Sequence, residues 1–310
     1  MKSTRKAYGE YLATLGEQDL DVVVFDADLA KATCTVDFKA KFPERHFDMG
    51  IAEQDMVGTA CGMAMTGKTV FASTFAMFLA GRAYEQVRNT AAYSHVNINL
   101  CATHTGLAVG EDGATHQCIE DIALMNVIPD MKVICPCDEV STKELLDICR
   151  KVEGPKYIRL GRNNLPAIYE ENSHFEIGKS TTFGEGTDGT IFAVGSTVSI
   201  ALEAQRVLKE KGILVRVVDL YSIKPVDKEA IITAAKETDR LVSIEDHSTI
   251  GGIGSIISNV LCESYPKRLT KLGVQDKFGK SGNVDTLYEM YGISKENIVR
   301  QWLKESENSI

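Results

Sequence analysis

No stretch of the 310-residue chain approaches the roughly 20 consecutive apolar residues that a membrane-spanning helix needs. No basic run stands out either. With 34 basic against 43 acidic residues the formal net charge is -9, so non-specific binding to a nucleic-acid backbone is disfavoured. The N-terminus, MKSTRKAYGEYLATLG, is polar and amphipathic and lacks the apolar core of a secretory signal, which leads us to expect a cytoplasmic protein. Repeats and low-complexity tracts are missing. The eight cysteines are too thinly spread for a disulfide scaffold and lie mostly in apolar segments, as reduced thiols do. Cys135 and Cys137 have no second close Cys or His pair, so they are expected to be thiols ending a strand rather than metal ligands, and no metal site is assigned to this chain.

What remains is the composition of a globular protein, 44% apolar and 25% charged, in a chain long enough for two domains. DVVVFDADL, TVFAS, VNINLCAT, MKVICPC and KYIRLGR have the β-branched runs of strands. Between them, AEQDMVGTACGMAMTG, GRAYEQVRNTAAYS and STKELLDICRKV have helical spacing, with Gly67 at a helix stop. This alternation predicts an α/β fold in which each domain is a mostly parallel sheet flanked by helices. The pattern pauses in the polar, hairpin-like AIYEENSHFEIGKSTTFGEGTDG and then resumes. We therefore divide the chain into residues 1–172, a linker at 173–186, and residues 187–310.

Three constellations carry chemistry. Glu53, in DMGIAEQDMVG, lies where a helix begins, and the small and apolar residues around it predict a helix buried on more than one face. The positive end of the helix dipole is enough to account for a lone carboxylate there; a ligand is the alternative. Phe71, Phe75 and Phe78 run from a strand end into a loop and helix, either as core or as a wall on which a flat heterocycle stacks. Residues 103–117, THTGLAVGEDGATHQ, place His104, Asp112 and His116 among glycines directly after an apolar strand. A loop at the carboxyl end of a strand is where open α/β sheets bind ligands, so this one is expected to meet substrate.

In order along the chain, GIAEQDMVGTACGMAMTG, STFAMF, RAYEQVRN, THTGLAVGEDGATHQ, RLGRNNLP and SIEDHSTIGGIGS resemble the pyrimidine-binding and C-terminal domains of transketolase, a thiamine-diphosphate enzyme. The resemblance covers essentially the whole chain. GEDGATHQ is specific to transketolase, whereas GIAEQ and RAYEQV are shared with deoxyxylulose-phosphate synthase. The resemblance implies that Glu53 bonds a ring nitrogen of the aminopyrimidine, as a carboxyl of raised pKa, and so helps the cofactor lose its thiazolium proton. Phe78 stacks on the pyrimidine with Phe75 beside it, and Asp28 and Leu29 lie near the cofactor. LAG before Arg82 is one residue longer than in relatives. His104 meets the sugar phosphate, Asp112 an acceptor hydroxyl, His116 the ketol oxygens, and Arg5 and Arg162 the phosphate, for which a bidentate guanidinium is well shaped. A serine that assists in many relatives falls at Ala32, so the phosphate is one donor short or turns to Thr33.

The GDG and later Asn that hold the diphosphate through a divalent cation are absent, and the chain begins where the family's second domain begins. The resemblance thus implies the C-terminal subunit of a split transketolase, moving a two-carbon ketol unit between sugar phosphates in the pentose phosphate pathway. A separate N-terminal subunit would supply the diphosphate site and Mg2+. The apolar helices at Ala52 and Arg82 suggest a self-dimer inside a heterotetramer, which the second domain supports; His247 is a further site candidate. The alternatives are a deoxyxylulose-phosphate synthase-like or oxo-acid dehydrogenase β-like subunit, and a non-catalytic scaffold that keeps the fold.

Overall fold

Strands β1 (Val22–Asp26), β3 (Thr69–Phe75), β4 (Ile98–Thr103) and β6 (Lys156–Arg159) are buried almost throughout, as expected of runs covered on both faces of a parallel sheet. They come from a computed structural model, which describes residues 1–303. With β2 (His46–Asp48) and β5 (Lys132–Ile134) they form one sheet in the order β5-β6-β4-β3-β1-β2, all pairs parallel. A second sheet runs β12-β11-β8-β9-β7, built from β7 (Thr181–Phe183), β8 (Gly189–Ala193), β9 (Val215–Asp219), β11 (Arg240–Ser248) and β12 (Leu269–Val274). The fold is thus two α/β domains, each with a mostly parallel sheet flanked by helices. Among the described residues no helix is long and apolar enough to cross a membrane.

Helix starts follow from their caps. Ser3 Oγ accepts the Lys6 N–H at the head of helix Thr4–Gln18, and Asp138 and Ser141 form a reciprocal capping box before Glu139–Lys151. Helix Glu53–Met65 has no side-chain cap. It buries Met56, Val57, Ala60, Cys61 and Ala64, while Ile51, Gln54, Gly62 and Met65 are exposed, so within this chain it is buried on one face rather than on several.

The region after residue 165 is not a hairpin. β7 pairs antiparallel with β9 instead of its sequence neighbour β8, and most of residues 160–180 is irregular. β10 (Ser222–Lys224), from the second half of the chain, pairs antiparallel with β5 and forms the edge of the first sheet. One apolar cluster, including Leu145, Ile158, Tyr169, Phe175, Ile191 and Val217, spans both sheets. Gly195 packs so close that a Cβ there would lie 2.7 Å from Cys135 Sγ.

Asp219, at the end of β9, sits fully buried in this junction. Its Oδ2 accepts the Tyr169 hydroxyl at 2.8 Å and the Cys137 thiol at 3.3 Å, and Oδ1 has no partner. Burial pushes its carboxyl up to about 7. Between pH 4 and 7 the folded chain therefore holds a proton that the unfolded chain has released. The stability that Asp219 contributes is fully present below the unfolded value and is lost as pH rises to about 7. Urea midpoints at pH 4.5 and 7.5 for the natural chain and Asp219→Asn give the test. The variant should lose about 2–4 kcal/mol less over that interval; equal losses would remove Asp219 from the account.

Candidate active site

The carboxyl ends of β1, β2, β3, β4 and β6 lie along one edge of the first sheet, and the residues singled out in its sequence, Phe71 apart, emerge there or are carried to it. Asp28 and Leu29 follow β1, Glu53 follows β2, Phe78 follows β3, His104 follows β4 and Arg162 follows β6. Arg5 is brought to the same edge because helix Thr4–Gln18 is pinned against the β6 end: the Gly161 N–H donates to Thr4 Oγ1 at 2.7 Å, and Lys2 bridges to Leu165.

Glu53 occupies the first position of its helix and is 1% exposed. Its Oε2 accepts from Arg82 Nη1 at 2.7 Å. Sequence reasoning did not name this partner, although Arg82 heads the quoted RAYEQVRN. The same guanidinium lies 4.7 Å above the Phe78 ring, within cation–π range. The helical stretch carrying both residues contains widened turns at Met77–Arg82 and Val87–Tyr93, and the Ala83 N–H reaches back five residues to the Phe78 carbonyl at 3.0 Å. A turn of this kind widens the helix without ending it. The helix accordingly begins earlier than its spacing suggested, at Met77.

The three phenylalanines divide. Phe71 is fully buried in the core. Phe75 and Phe78 stack with ring centroids 5.7 Å apart and planes 12° from parallel. His104 stacks on Phe75 at 3.8 Å, and His116 meets Phe78 edge-on at 5.4 Å. Glu53, Arg82, Phe78, Phe75, His104 and His116 thus form one continuous chain of contacts. Asp28 is exposed, in a left-handed conformation (φ 59°), with its N–H donating to Asp48 Oδ1 at 2.9 Å. The Leu29 N–H is taken by Asp26 Oδ1.

A positive cluster adjoins the aromatic wall. Arg162 lies 3.8 Å from Asp112, and its guanidinium also bonds the Val109 carbonyl. Arg5 Nη1 donates to the Ala32 carbonyl at 2.6 Å, whereas its Nε is buried with no hydrogen-bond partner. Burial holds the Arg5 guanidinium below its usual value, and the charge of Arg162 adds to the effect. Burial likewise pushes the His104 imidazole down to about 3, reinforced by Arg5, Arg162 and His116. Positive charge gathered beside the lowered Arg5 and His104 marks a place where an anion would be welcome. Thr33 does not lend its hydroxyl here: it is fully buried and donates to Asp26 Oδ2 at 2.8 Å.

His247 lies elsewhere. It is enclosed between the two sheets, accepting the Ile122 N–H at Nε2 (3.2 Å), with burial pushing it down to about 4. Among the described residues no group of three or more His, Cys, Asp or Glu side chains is arranged to hold a metal.

Comparison with known proteins identifies the family of both domains. The transketolase pyrimidine-binding domain matches residues 1–167 and the transketolase C-terminal domain matches residues 178–298. A putative transketolase C-terminal section from Methanocaldococcus jannaschii is 46% identical, over 98% of this chain and 96% of that protein. A subunit of the apulose-4-phosphate transketolase of Phocaeicola vulgatus is 39% identical, over 98% of this chain and 97% of that protein. Against the transketolase of Rattus norvegicus, at 37% identity, 96% of this chain covers 48% of that protein. A solved split-gene transketolase, an inactive β4 tetramer, superposes with a TM-score of 0.91 at 45% identity, over 98% of both chains.

The electrostatics of the cluster make a direct prediction. Followed by NMR, the His104 ring of the free chain should stay neutral from pH 8 down to about 5, since burial first, and then the charges of Arg5 and Arg162, oppose its proton. A titration midpoint near 6.5 would show that the ring is solvated and the cluster open.

Proposed function

The chain belongs to the transketolase family as a C-terminal subunit, and we propose that, joined to a separate N-terminal subunit, it transfers a two-carbon ketol unit from a ketose phosphate to an aldose phosphate. Membership implies thiamine diphosphate as cofactor. The observation that carries the proposal is the contact chain from a buried carboxylate, through two stacked rings, to two histidines beside an unsatisfied guanidinium.

The residues fit the pyrimidine half of the cofactor. Glu53 supplies a buried carboxyl oxygen for a ring nitrogen, and the half-exposed Phe78 ring supplies a flat apolar face. When bound, thiamine diphosphate supplies a carbon nucleophile and an electron sink. Arg82 now makes both contacts, with Glu53 and with Phe78, so seating a pyrimidine ring requires it to yield at least one. His116 faces the same wall and, in this reading, holds the ketol oxygens; His104, neutral and buried, can accept or donate one hydrogen bond without bringing a charge into the site. Arg5 and Arg162 hold the phosphate, and Asp112, paired to Arg162, reads an acceptor hydroxyl. With Ala32 lacking a hydroxyl and that of Thr33 committed to Asp26, this chain offers the phosphate one donor fewer than serine-bearing relatives do.

The metal and diphosphate fall to the N-terminal subunit in this reading, since the described residues offer no cluster of oxygen ligands. The exposed face at Ile51, Gly62 and Met65 is available for a second copy, giving a heterotetramer. That the split-gene relative is inactive as a β4 tetramer supports the need for another chain. The apulose-4-phosphate relative makes the sugar an open variable, to be read by a panel rather than assumed.

The test is reconstitution. This chain, the N-terminal chain, thiamine diphosphate and Mg2+ should together turn over xylulose 5-phosphate or another phosphorylated ketose, with neither chain active alone. In the assembled enzyme Glu53→Ala should lower kcat by about a hundredfold or more. Activity with pyruvate instead of ketose phosphates, or full activity in Glu53→Ala, would overturn the assignment.

A further inference from the structure

The loop that carries His104, Asp112 and His116 is held by the second sheet. Asp246, near the carboxyl end of β11, is fully buried. Its Oδ1 accepts the Leu107 N–H at 2.8 Å and its Oδ2 accepts the Ala108 N–H at 3.2 Å. The Tyr288 hydroxyl donates to the same Oδ2 at 2.9 Å. The Asp246 carbonyl in turn accepts from Arg159 Nη2 at 2.8 Å, and Arg159 is locked to Asp121 at 2.9 Å.

Leu107 and Ala108 open a short, kinked helical turn, Leu107–Asp112, whose first amides have no partner within the turn. Gly106, just before it, has φ 67°, and a Cβ there would lie 2.2 Å from Asp246 Oδ2. Only glycine permits both the backbone angle and the approach. His104 itself is held at φ 57°, a left-handed conformation that costs free energy for a residue with a side chain. The loop path is thus imposed from outside, and the imposing group grips it between the two histidines.

We propose that Asp246 is a positioning residue: a carboxylate of the second domain that fixes the 103–117 loop, and through it sets His104 and His116 against the Phe75–Phe78 wall. Other bonds join the domains away from this turn, Ser248 N–H to the Ile119 carbonyl at 2.7 Å and Ile122 N–H to His247 at 3.2 Å. They hold the interface without touching the amides that shape the turn. Gln117 Nε2 to the Lys280 carbonyl, at 2.9 Å, ties the loop's far end. The second domain therefore contributes to the site through the loop backbone and touches no substrate. The catalytic consequence rests on the function proposed above; the structural one does not.

Two variants of the full subunit test this. Asp246→Asn keeps the volume but sets an amide donor against at least one N–H or O–H donor. Tyr288→Phe keeps the carboxylate and removes one bond from it. Hydrogen exchange should accelerate about tenfold or more across 103–117 in Asp246→Asn, and less in Tyr288→Phe, while 119–122 and 156–159 keep their protection. In the reconstituted enzyme KM for the sugar phosphate should rise, and kcat fall, by about tenfold, with cofactor affinity changed less than about twofold. Unchanged exchange in the loop, or equal acceleration over the whole domain interface, would overturn the proposal. Should Asp246→Asn fail to fold, the same comparison on Tyr288→Phe decides. The exchange result stands even if no sugar phosphate is turned over, so the two readings fail separately.

Discussion

Burying a carboxylate is expensive unless something charged or hydrogen-bonding meets it, and the site is organised around how Glu53 meets this cost. Its side chain is 1% exposed at the first turn of a helix, where the backbone dipole is favourable, and one guanidinium reaches it from a helix across the site. Arg82 can do this because the widened turn before Ala83 sets it over Phe78 and toward Glu53 at once. The pair is asymmetric: Glu53 is enclosed, whereas Arg82 is 46% exposed at its side chain. The cation is therefore the partner that can be exchanged for another donor without stranding itself. A buried acid with a removable partner suits a ring nitrogen better than a permanently closed ion pair would.

The second constraint is the geometry of a parallel sheet. Every strand ends on the same edge, so residues far apart in sequence converge without long excursions of the chain. Here that edge gathers Glu53, the aromatic wall with Arg82, the two histidines and Arg162 from the ends of β2, β3, β4 and β6, and Arg5 from the N-terminal helix. Burial, aided by the arginines close to His104, opposes its proton, so the ring remains a neutral hydrogen-bonding group in a region of positive potential. Such a region attracts an anion even though the chain as a whole carries net charge -9.

Much of this was legible in the sequence, for physical reasons that also explain the misses. β1, β3, β4 and β6 announce themselves because strands buried on both faces need continuous β-branched runs, and Glu53, Phe78, His104 and His116 sit in short ordered motifs. Arg82 as the partner of Glu53 was not legible, because whether two side chains meet across 29 residues depends on how the helix between them is wound. The pairing of β7 with β9 was missed because local turn signals cannot see a strand some 30 residues on. Thr33 looked free to replace a serine until Asp26, buried on β1, was found to hold its hydroxyl. Asp246 had no local signal: its two backbone contacts lie 139 and 138 residues away.

The two sheets cannot be treated as modules that happen to be joined. One apolar cluster runs through both, β10 crosses back to edge the first sheet, and a fully buried Arg159–Asp121 pair is closed over by the Asp246 backbone. Separating them would expose that core and leave charges in an opened junction, a loss far larger than any single surface contact supplies. The outer face of the Glu53 helix is the reverse case: small residues with open space above Gly58 and Gly62 and exposed Ile51 and Met65 leave a surface that another chain can cover without disturbing what is already packed. A polypeptide that keeps these two domains together keeps its buried polar network intact.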